Sequence, residues 1–93
     1  MRFEWDQEKA ERNLKKHGVS FEEAATVWDD LFNVELVDHD HSTEEQRFLM
    51  VGESAEGRFL IISFTERGNK VRIISARQLT PRERRVYEHR DFE

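Results

Sequence analysis

Three apolar runs, separated by short polar turns, constrain the fold more than any other feature of the sequence. They are Phe-Leu-Met-Val at 48–51, Phe-Leu-Ile-Ile-Ser-Phe at 59–64 and Val-Arg-Ile-Ile-Ser-Ala at 71–76. Near-continuous apolar runs of this length favour central strands that helices cover on both faces. Because the turns at 54–57 and 67–69 are short, the sequence predicts an antiparallel meander.

Two shorter strands are predicted before these runs. Val34 and Leu36 alternate with polar residues, which is typical of a half-buried strand that ends near Asp38. Residues 2–5, Arg-Phe-Glu-Trp, also alternate and predict a short opening strand or an extended lead-in. The chain therefore holds four strands of one sheet and, at its start, a fifth candidate strand.

Capping residues and helical spacing predict a first helix between the opening strand and the sheet. It covers residues 6–17, with Asp6 as its N-cap and Gly18 at its end. Ala10 and Leu14 are spaced to face inward.

The second helix begins at a capping box, Ser-Phe-Glu-Glu at 20–23. Its apolar residues recur at helical spacing and predict a face that packs into the core: Phe21, Ala24, Ala25, Trp28 and Leu31. A third helix is predicted after the last strand, since Thr80 and Glu83 form another capping pattern around Pro81. That helix has few apolar residues, so it packs weakly or binds a partner.

Together these elements predict an α+β fold in a single domain over residues 1–93. The sheet is an antiparallel meander of four or slightly more strands, with two N-terminal helices and one C-terminal helix. The chain has no cysteine, which excludes disulfides, thiol nucleophiles and cysteine-based zinc sites. No apolar stretch approaches the roughly 18 residues of a membrane span, so we expect a cytoplasmic protein with no membrane partner.

The charges are divided unevenly along the chain. Residues 1–57 hold 6 basic and 15 acidic side chains, a balance of −9, whereas residues 58–93 hold 9 basic and 5 acidic ones, a balance of +4. Such asymmetry indicates a cationic and an anionic surface with different partners. The alternative is that both halves have ordinary mixed surfaces.

Most of the basic residues of the second half fall within residues 67–87. They are Arg67, Lys70, Arg72, Arg77, Arg82, Arg84 and Arg85, against one acid, Glu83. Guanidinium groups on rigid elements suit phosphate, because the planar fork donates two parallel hydrogen bonds and keeps its charge. This stretch predicts an RNA phosphate site at the corner between the last strand and the last helix.

Two segments also carry a resemblance to a known family. The segments FEWDQEKAERNLKKHGVSFEEAATVW and VRIISARQLTPRERRVYE resemble the BrnT toxins of bacterial toxin–antitoxin pairs, least so over residues 38–58. The resemblance implies a RelE-like ribonuclease fold, cleavage of RNA and a block of translation. It also implies a cognate antitoxin, encoded beside the toxin, that neutralises it in a complex of two toxins and two antitoxins. That complex would repress its own operon by binding operator DNA through the antitoxin.

The resemblance also places the functional residues. The family's functional region falls on Arg67, Arg72, Arg77 and Tyr87, which are the expected catalytic residues. The residues expected to bind RNA are Lys16, His17, Lys70 and Arg84. The run Lys15-Lys16-His17 has a second explanation, because cations at a helix C-terminus stabilise the helix dipole. Arg84 and its neighbours have one too, as the solvated face of a helix or as the contact for an acidic antitoxin segment.

Metal-free cleavage of RNA proceeds by attack of the 2′-hydroxyl on the adjacent phosphate. Arg72 and Arg77 are assigned to the phosphate and Arg67 to a neighbouring one, because fixed cations stabilise the developing charge. For proton transfer, Tyr87 needs a lowered pKa, whereas His17 or Glu83 does not.

Strand alternation complicates this site. It puts Arg72 and Arg77 on opposite faces of their strand unless the strand twists or bulges, or unless Arg77 lies beyond it. A structural alternative for Arg77 is a salt bridge to an acid such as Glu83.

A different functional class remains open. The basic corner also fits a non-catalytic module that docks an acidic protein or operator DNA, with salt-sensitive binding and no turnover. A metal site is disfavoured, because Asp-His-Asp-His at 38–41 matches no established zinc spacing. No cofactor is expected.

Overall fold

The computed structural model describes residues 2–90, and in it one five-stranded sheet carries a layer of helices on one face. The strands are β1 (Arg2–Glu4), β2 (Val34–Val37), β3 (Arg47–Glu53), β4 (Phe59–Arg67) and β5 (Lys70–Gln78). The α-helices are α1 (Gln7–His17), α2 (Phe21–Ala25) and α3 (Pro81–Glu88). Single 3₁₀ turns at Thr26–Asp29 and His39–His41 complete the elements of these residues. None of the helices in this range is long and apolar enough to cross a membrane.

The strand order is β1-β5-β4-β3-β2. Neighbouring strands from β2 to β5 pair antiparallel, so the predicted meander is confirmed for them. The prediction of a purely antiparallel sheet is wrong, because β1 pairs parallel with β5. A parallel pair needs a long connection, and here almost the whole chain lies between the two strands.

The hydrophobic core lies between the sheet and the first two helices. On β4, buried Leu60, Ile62 and Phe64 alternate with half-buried Phe59, Ile61 and Ser63. The buried set packs with Val19, Phe21, Ala24, Val27 and Ile73 in one cluster. The prediction that helices cover both faces is wrong. The second face, which carries Leu49, Ile61, Ser63, Arg72 and Arg77 and is called the open face below, is covered at one end only, by α3.

The helices differ from the predictions at two apolar residues. Leu14 is 51% exposed, and the inward position on α1 belongs to Asn13. Leu31 is 93% exposed because α2 ends at Ala25 and the following 3₁₀ turn ends at Asp29. The Asp30 carboxylate then accepts hydrogen bonds from the backbone N–H groups of Phe32 and Glu53, which turns the chain away from the helix.

The two capping predictions have different outcomes. At α3 the reciprocal box is confirmed, with Glu83 N–H donating to Thr80 Oγ1 at 3.1 Å and Thr80 N–H donating to Glu83 Oε1 at 2.9 Å. At α2, Ser20 Oγ accepts from Glu23 N–H at 3.0 Å, but the Glu23 carboxylate does not return to Ser20. Instead it is buried and accepts hydrogen bonds from Arg58 and from the Ser54 hydroxyl.

Candidate functional site

A β-bulge in β5 determines which side chains reach the open face. Ser63 lies opposite Ser75 and Phe64 lies opposite Ile73, so Ile74 is one extra residue on β5. An extra residue reverses the alternation of side chains along the strand. The core-facing residues accordingly change from Val71 and Ile73 before the bulge to Ala76 after it.

The bulge brings Arg72 and Arg77 to the same face. Arg72 lies opposite Thr65 and Arg77 lies opposite Ile61, and both partners are on the open face. The two positions are four residues apart along β4, roughly 13 Å at the usual rise of a strand. The condition that alternation imposed on a shared phosphate site is therefore met by a bulge. Two guanidinium groups at this spacing suit successive phosphates of one strand.

A cavity of about 210 Å³ lies on the open face beside Arg77. Its lining residues are His17, Leu49, Ile61, Ser63, Ser75, Ala76 and Arg77. His17 comes from the last turn of α1, whereas Ser63 and Ser75 are a cross-strand pair of hydroxyl side chains. The cavity therefore brings two residues expected from the sequence, His17 and Arg77, together with two hydroxyl groups.

Asn13 fixes α1 relative to this cavity. β1 covers only Lys70–Arg72 of its neighbour, and further along, the Asn13 amide takes the place of a strand. Its Nδ2 donates to the Ala76 carbonyl at 2.8 Å, and its Oδ1 accepts from Ala76 N–H at 3.1 Å. His17 is one helical turn after Asn13 and hence on the same side of α1, so this clamp sets its position near Arg77.

The other end of the open face holds most of the remaining predicted cations. Glu4, on β1, pairs with Arg72 at 3.5 Å and with Lys70 at 3.8 Å. Arg67 at the end of β4 donates two hydrogen bonds of 3.0 Å to Glu45, and its guanidinium lowers the pKa of that carboxyl. Arg67, Lys70 and Arg72 are thus brought together, each with a carboxylate beside it.

Arg77 forms the salt bridge that the sequence offered as an alternative. Its Nη1 and Nη2 lie 2.8 and 3.0 Å from the two carboxylate oxygens of Glu83. The Arg77 guanidinium and the Thr80 backbone N–H lower the pKa of Glu83 to about 2. A carboxylate with so low a pKa is a poor general base, so the geometry argues against Glu83 in that role. The same fork holds the Arg77 side chain in one orientation.

Tyr87 is not brought to the arginines of β5. Its hydroxyl donates to the Phe32 carbonyl at 2.9 Å, and its ring packs against Phe59 with the Arg90 guanidinium on its face. Phe59 is six residues from Thr65 along β4, which corresponds to roughly 20 Å. Burial raises the pKa of Tyr87, although Arg90 opposes the rise. The lowered pKa on which its acid–base role depended is therefore absent.

The last two predicted RNA contacts lie on helices. Arg84, on α3, stacks over the Phe59 ring at 4.2 Å and pairs with Glu88 at 3.2 Å. Lys16 is exposed in the last turn of α1, next to His17. Neither lines the cavity beside Arg77.

Several residues of the open face were missed by reasoning from sequence. Ser63 and Ser75 each follow Ile-Ile in an apolar run, and a hydroxyl residue in such a run was the available signal. Arg47 lies opposite Thr65 on the open face, but it falls in the segment with least family resemblance. Thr65 is 1% exposed, and its hydroxyl has no hydrogen-bond partner within residues 2–90. Across the same residues, His, Asp and Glu side chains form no group of three or more that could hold a metal ion.

Comparison with known proteins identifies the family. Residues 5–83 match the model of a family described as the ribonuclease toxin, BrnT, of type II toxin–antitoxin systems. The chain belongs to the BrnT family. Membership confirms the resemblance seen in the sequence and makes the protein a ribonuclease toxin with RNA as substrate and an antitoxin as partner.

The fold of this BrnT-family chain is also found in a solved structure. The crystal structure of the Brucella abortus ribonuclease toxin, BrnT, superimposes with a TM-score of 0.64. The two sequences are 23% identical, and the match covers 86% of this chain and 97% of that one. At this identity the likeness establishes the shared α+β fold. A comparison with curated proteins finds no match.

Proposed function

We propose that this BrnT-family toxin is a metal-independent endoribonuclease that cuts cellular mRNA in the cytoplasm and so inhibits translation. The observation that carries the proposal is the β5 bulge, which puts Arg72 and Arg77 on one face with the His17 cavity beside them. Family membership supplies the activity class and the open face supplies a place for it.

The proposed reaction is attack of a 2′-hydroxyl on the adjacent phosphate, with departure of the 5′-oxygen. Arg72 and Arg77 donate hydrogen bonds to the phosphate oxygens as negative charge develops on them. Arg67 and Lys70 bind a neighbouring phosphate. His17 exchanges the proton, because imidazole is the side chain suited to proton transfer near neutral pH.

Tyr87 is a weaker candidate for a reacting group than the family resemblance suggested. Its hydroxyl is hydrogen-bonded to Phe32 and its ring lies at the opposite end of the open face. We expect the Tyr87→Phe variant to keep most of its activity.

The remaining elements of the proposal come from the family resemblance. The cognate antitoxin neutralises the toxin in a complex of two copies of each, and the complex binds operator DNA through the antitoxin. The RelE-like character of the fold belongs to the same set of expectations.

The test is cleavage of a labelled RNA by partner-free toxin in EDTA. We expect the wild type to cut, Arg72→Ala and Arg77→Ala each to lose on the order of a hundredfold in rate, and His17→Gln to lose a comparable factor. Arg12→Ala, which removes an exposed arginine of α1, is the matched control and keeps its rate.

Three outcomes would count against the proposal. Loss of cleavage in EDTA with recovery in magnesium contradicts metal independence. Full activity in the Arg72 and Arg77 variants contradicts the site. Salt-sensitive RNA binding without cleavage, with or without ribosomes, favours the non-catalytic module instead.

A further inference from the structure

An apolar groove lies between the open face and α3, at the end away from Arg72. It has a volume of about 400 Å³. Its floor is formed by side chains of three strands and its wall by α3: the lining residues are Val34, Leu36, Val51, Ile61, Leu79, Arg82, Glu83, Val86, Tyr87 and Arg90. A groove of this size and lining fits several apolar side chains of a partner.

The groove also carries apolar side chains that the fold leaves in water. Val86 on its α3 wall is 68% exposed, and Leu36 on its floor is 48% exposed. Phe32, at 72% exposed, adjoins its end, since the Phe32 carbonyl accepts hydrogen bonds from Tyr87 and Arg90. Clustered exposed apolar residues mark interaction sites, whereas single ones are ordinary.

The charges at the rim indicate what kind of partner fits. Arg82 lines the groove, and Arg85 follows it on the same side of α3. Among the ion pairs formed within residues 2–90, none includes either arginine. This distinguishes them from Arg67, Arg72 and Arg77, which each have a carboxylate beside them. The complementary ligand is an apolar segment flanked by acidic residues.

We propose that this groove is the docking site for the antitoxin, through a segment of apolar and acidic residues. The inference rests on the proposed function, which supplies the antitoxin as partner. Ile61 lines both the groove and the cavity beside Arg77, and Glu83 lines the groove while holding Arg77. A segment in the groove therefore lies next to the RNA path and blocks it sterically.

The experiment is calorimetric titration of the full-length toxin with the full-length antitoxin encoded beside it. Val86→Asp and Leu36→Asp put a charge into the apolar groove, and Arg82→Glu reverses a rim charge on the exposed side of α3. Each variant is expected to weaken antitoxin binding on the order of tenfold or more. Leu14→Asp is the matched control, because Leu14 is an equally exposed apolar residue on α1 outside the groove, and its affinity stays unchanged.

RNA cleavage by the same variants, free of antitoxin, separates this inference from the proposed function. The three groove variants are expected to cut RNA at the wild-type rate. Wild-type affinity for the antitoxin in Arg82→Glu and Val86→Asp overturns the inference, as does weakened binding by Leu14→Asp. A raised KM for RNA with unchanged antitoxin affinity assigns the groove to RNA. If antitoxin affinity falls as expected but no form of the toxin cuts RNA, docking stands and the proposed function fails.

Discussion

At the scale of single residues, the most buried charge of the fold is a structural one. Glu23 is 4% exposed, and its carboxylate accepts hydrogen bonds from Arg58 Nε at 2.9 Å and Ser54 Oγ at 2.7 Å. Arg58 also donates to the Gly18 carbonyl at 2.9 Å, so it joins the end of α1, the start of α2 and the turn before β4. A buried carboxylate needs all these donors, because an unpaired one is strongly destabilising.

This network predicts a pH dependence of stability. The hydrogen bond from Arg58 lowers the pKa of Glu23 below its ordinary value of 4.5, and burial opposes the shift only in part. A lowered folded-state pKa stabilises the protein above the unfolded-state value, and that stabilisation is lost as the pH falls through the folded-state pKa. We expect the free energy of unfolding to fall below about pH 4.5, and to fall less steeply in Glu23→Gln.

Urea unfolding between pH 7 and pH 3 measures this slope. Glu22→Gln is the matched control, since Glu22 is the exposed neighbour on the same helix, and its slope stays that of the wild type. Equal slopes for wild type and Glu23→Gln would show that the buried pair contributes nothing to acid unfolding.

At the scale of elements, one amide side chain joins a helix to the edge of a strand. Asn13 is 7% exposed and satisfies both the N–H and the C=O of Ala76, and it also donates to the Val19 carbonyl at 2.9 Å. These bonds cover the part of the β5 edge that β1 does not reach. They also explain why a polar residue rather than Leu14 faces inward on α1.

The Asn13→Leu substitution tests this clamp. Leucine has a similar size but no polar atoms, so it leaves the Ala76 N–H and C=O buried without partners. We expect a loss of about 2–3 kcal/mol in the free energy of unfolding, measured by denaturant titration. The exposed neighbour Glu11, changed to Ala, should shift it by no more than about 0.5 kcal/mol. A loss as small as that in Asn13→Leu would mean that water or another group replaces the amide.

At the scale of the whole molecule, the fold interleaves the acidic and basic parts of the chain. Glu4 and Glu45 come from the acidic first half and pair with Arg72 and Arg67 of the basic second half. The open face therefore combines cations that are held in place with carboxylates that reduce its net charge. The sequence prediction of a separate cationic and anionic surface does not describe this face.

Local patterns were sufficient to predict the strands of the meander and the helix caps. The apolar runs and short turns predicted β3, β4 and β5, and Thr80 with Glu83 predicted the start of α3. Even the Arg77–Glu83 salt bridge was accessible, because its partners are six residues apart. Each of these features depends on residues close in the chain.

The features that were not predicted depend on contacts between distant residues. The inward position of Asn13 depends on Ala76, and the burial of Glu23 depends on Arg58. The exposure of Leu31 follows from the Asp30 hydrogen bond to Glu53. The bulge in β5 was posed only as a condition, because Ile-Ile-Ser does not indicate which residue lacks a partner. Its consequence for Arg72 and Arg77 therefore needed the structure.

The measurement that tests the central claim most directly is an NMR titration of the toxin with an RNA whose 2′-hydroxyl groups are removed. Such a strand binds but lacks the attacking group. The account predicts that the largest shift changes occur at His17, Ser63, Ser75 and the arginines of β5, and that the binding weakens as salt is added. Shift changes confined to the exposed surfaces of α1 and α2, on the other side of the sheet, would contradict it.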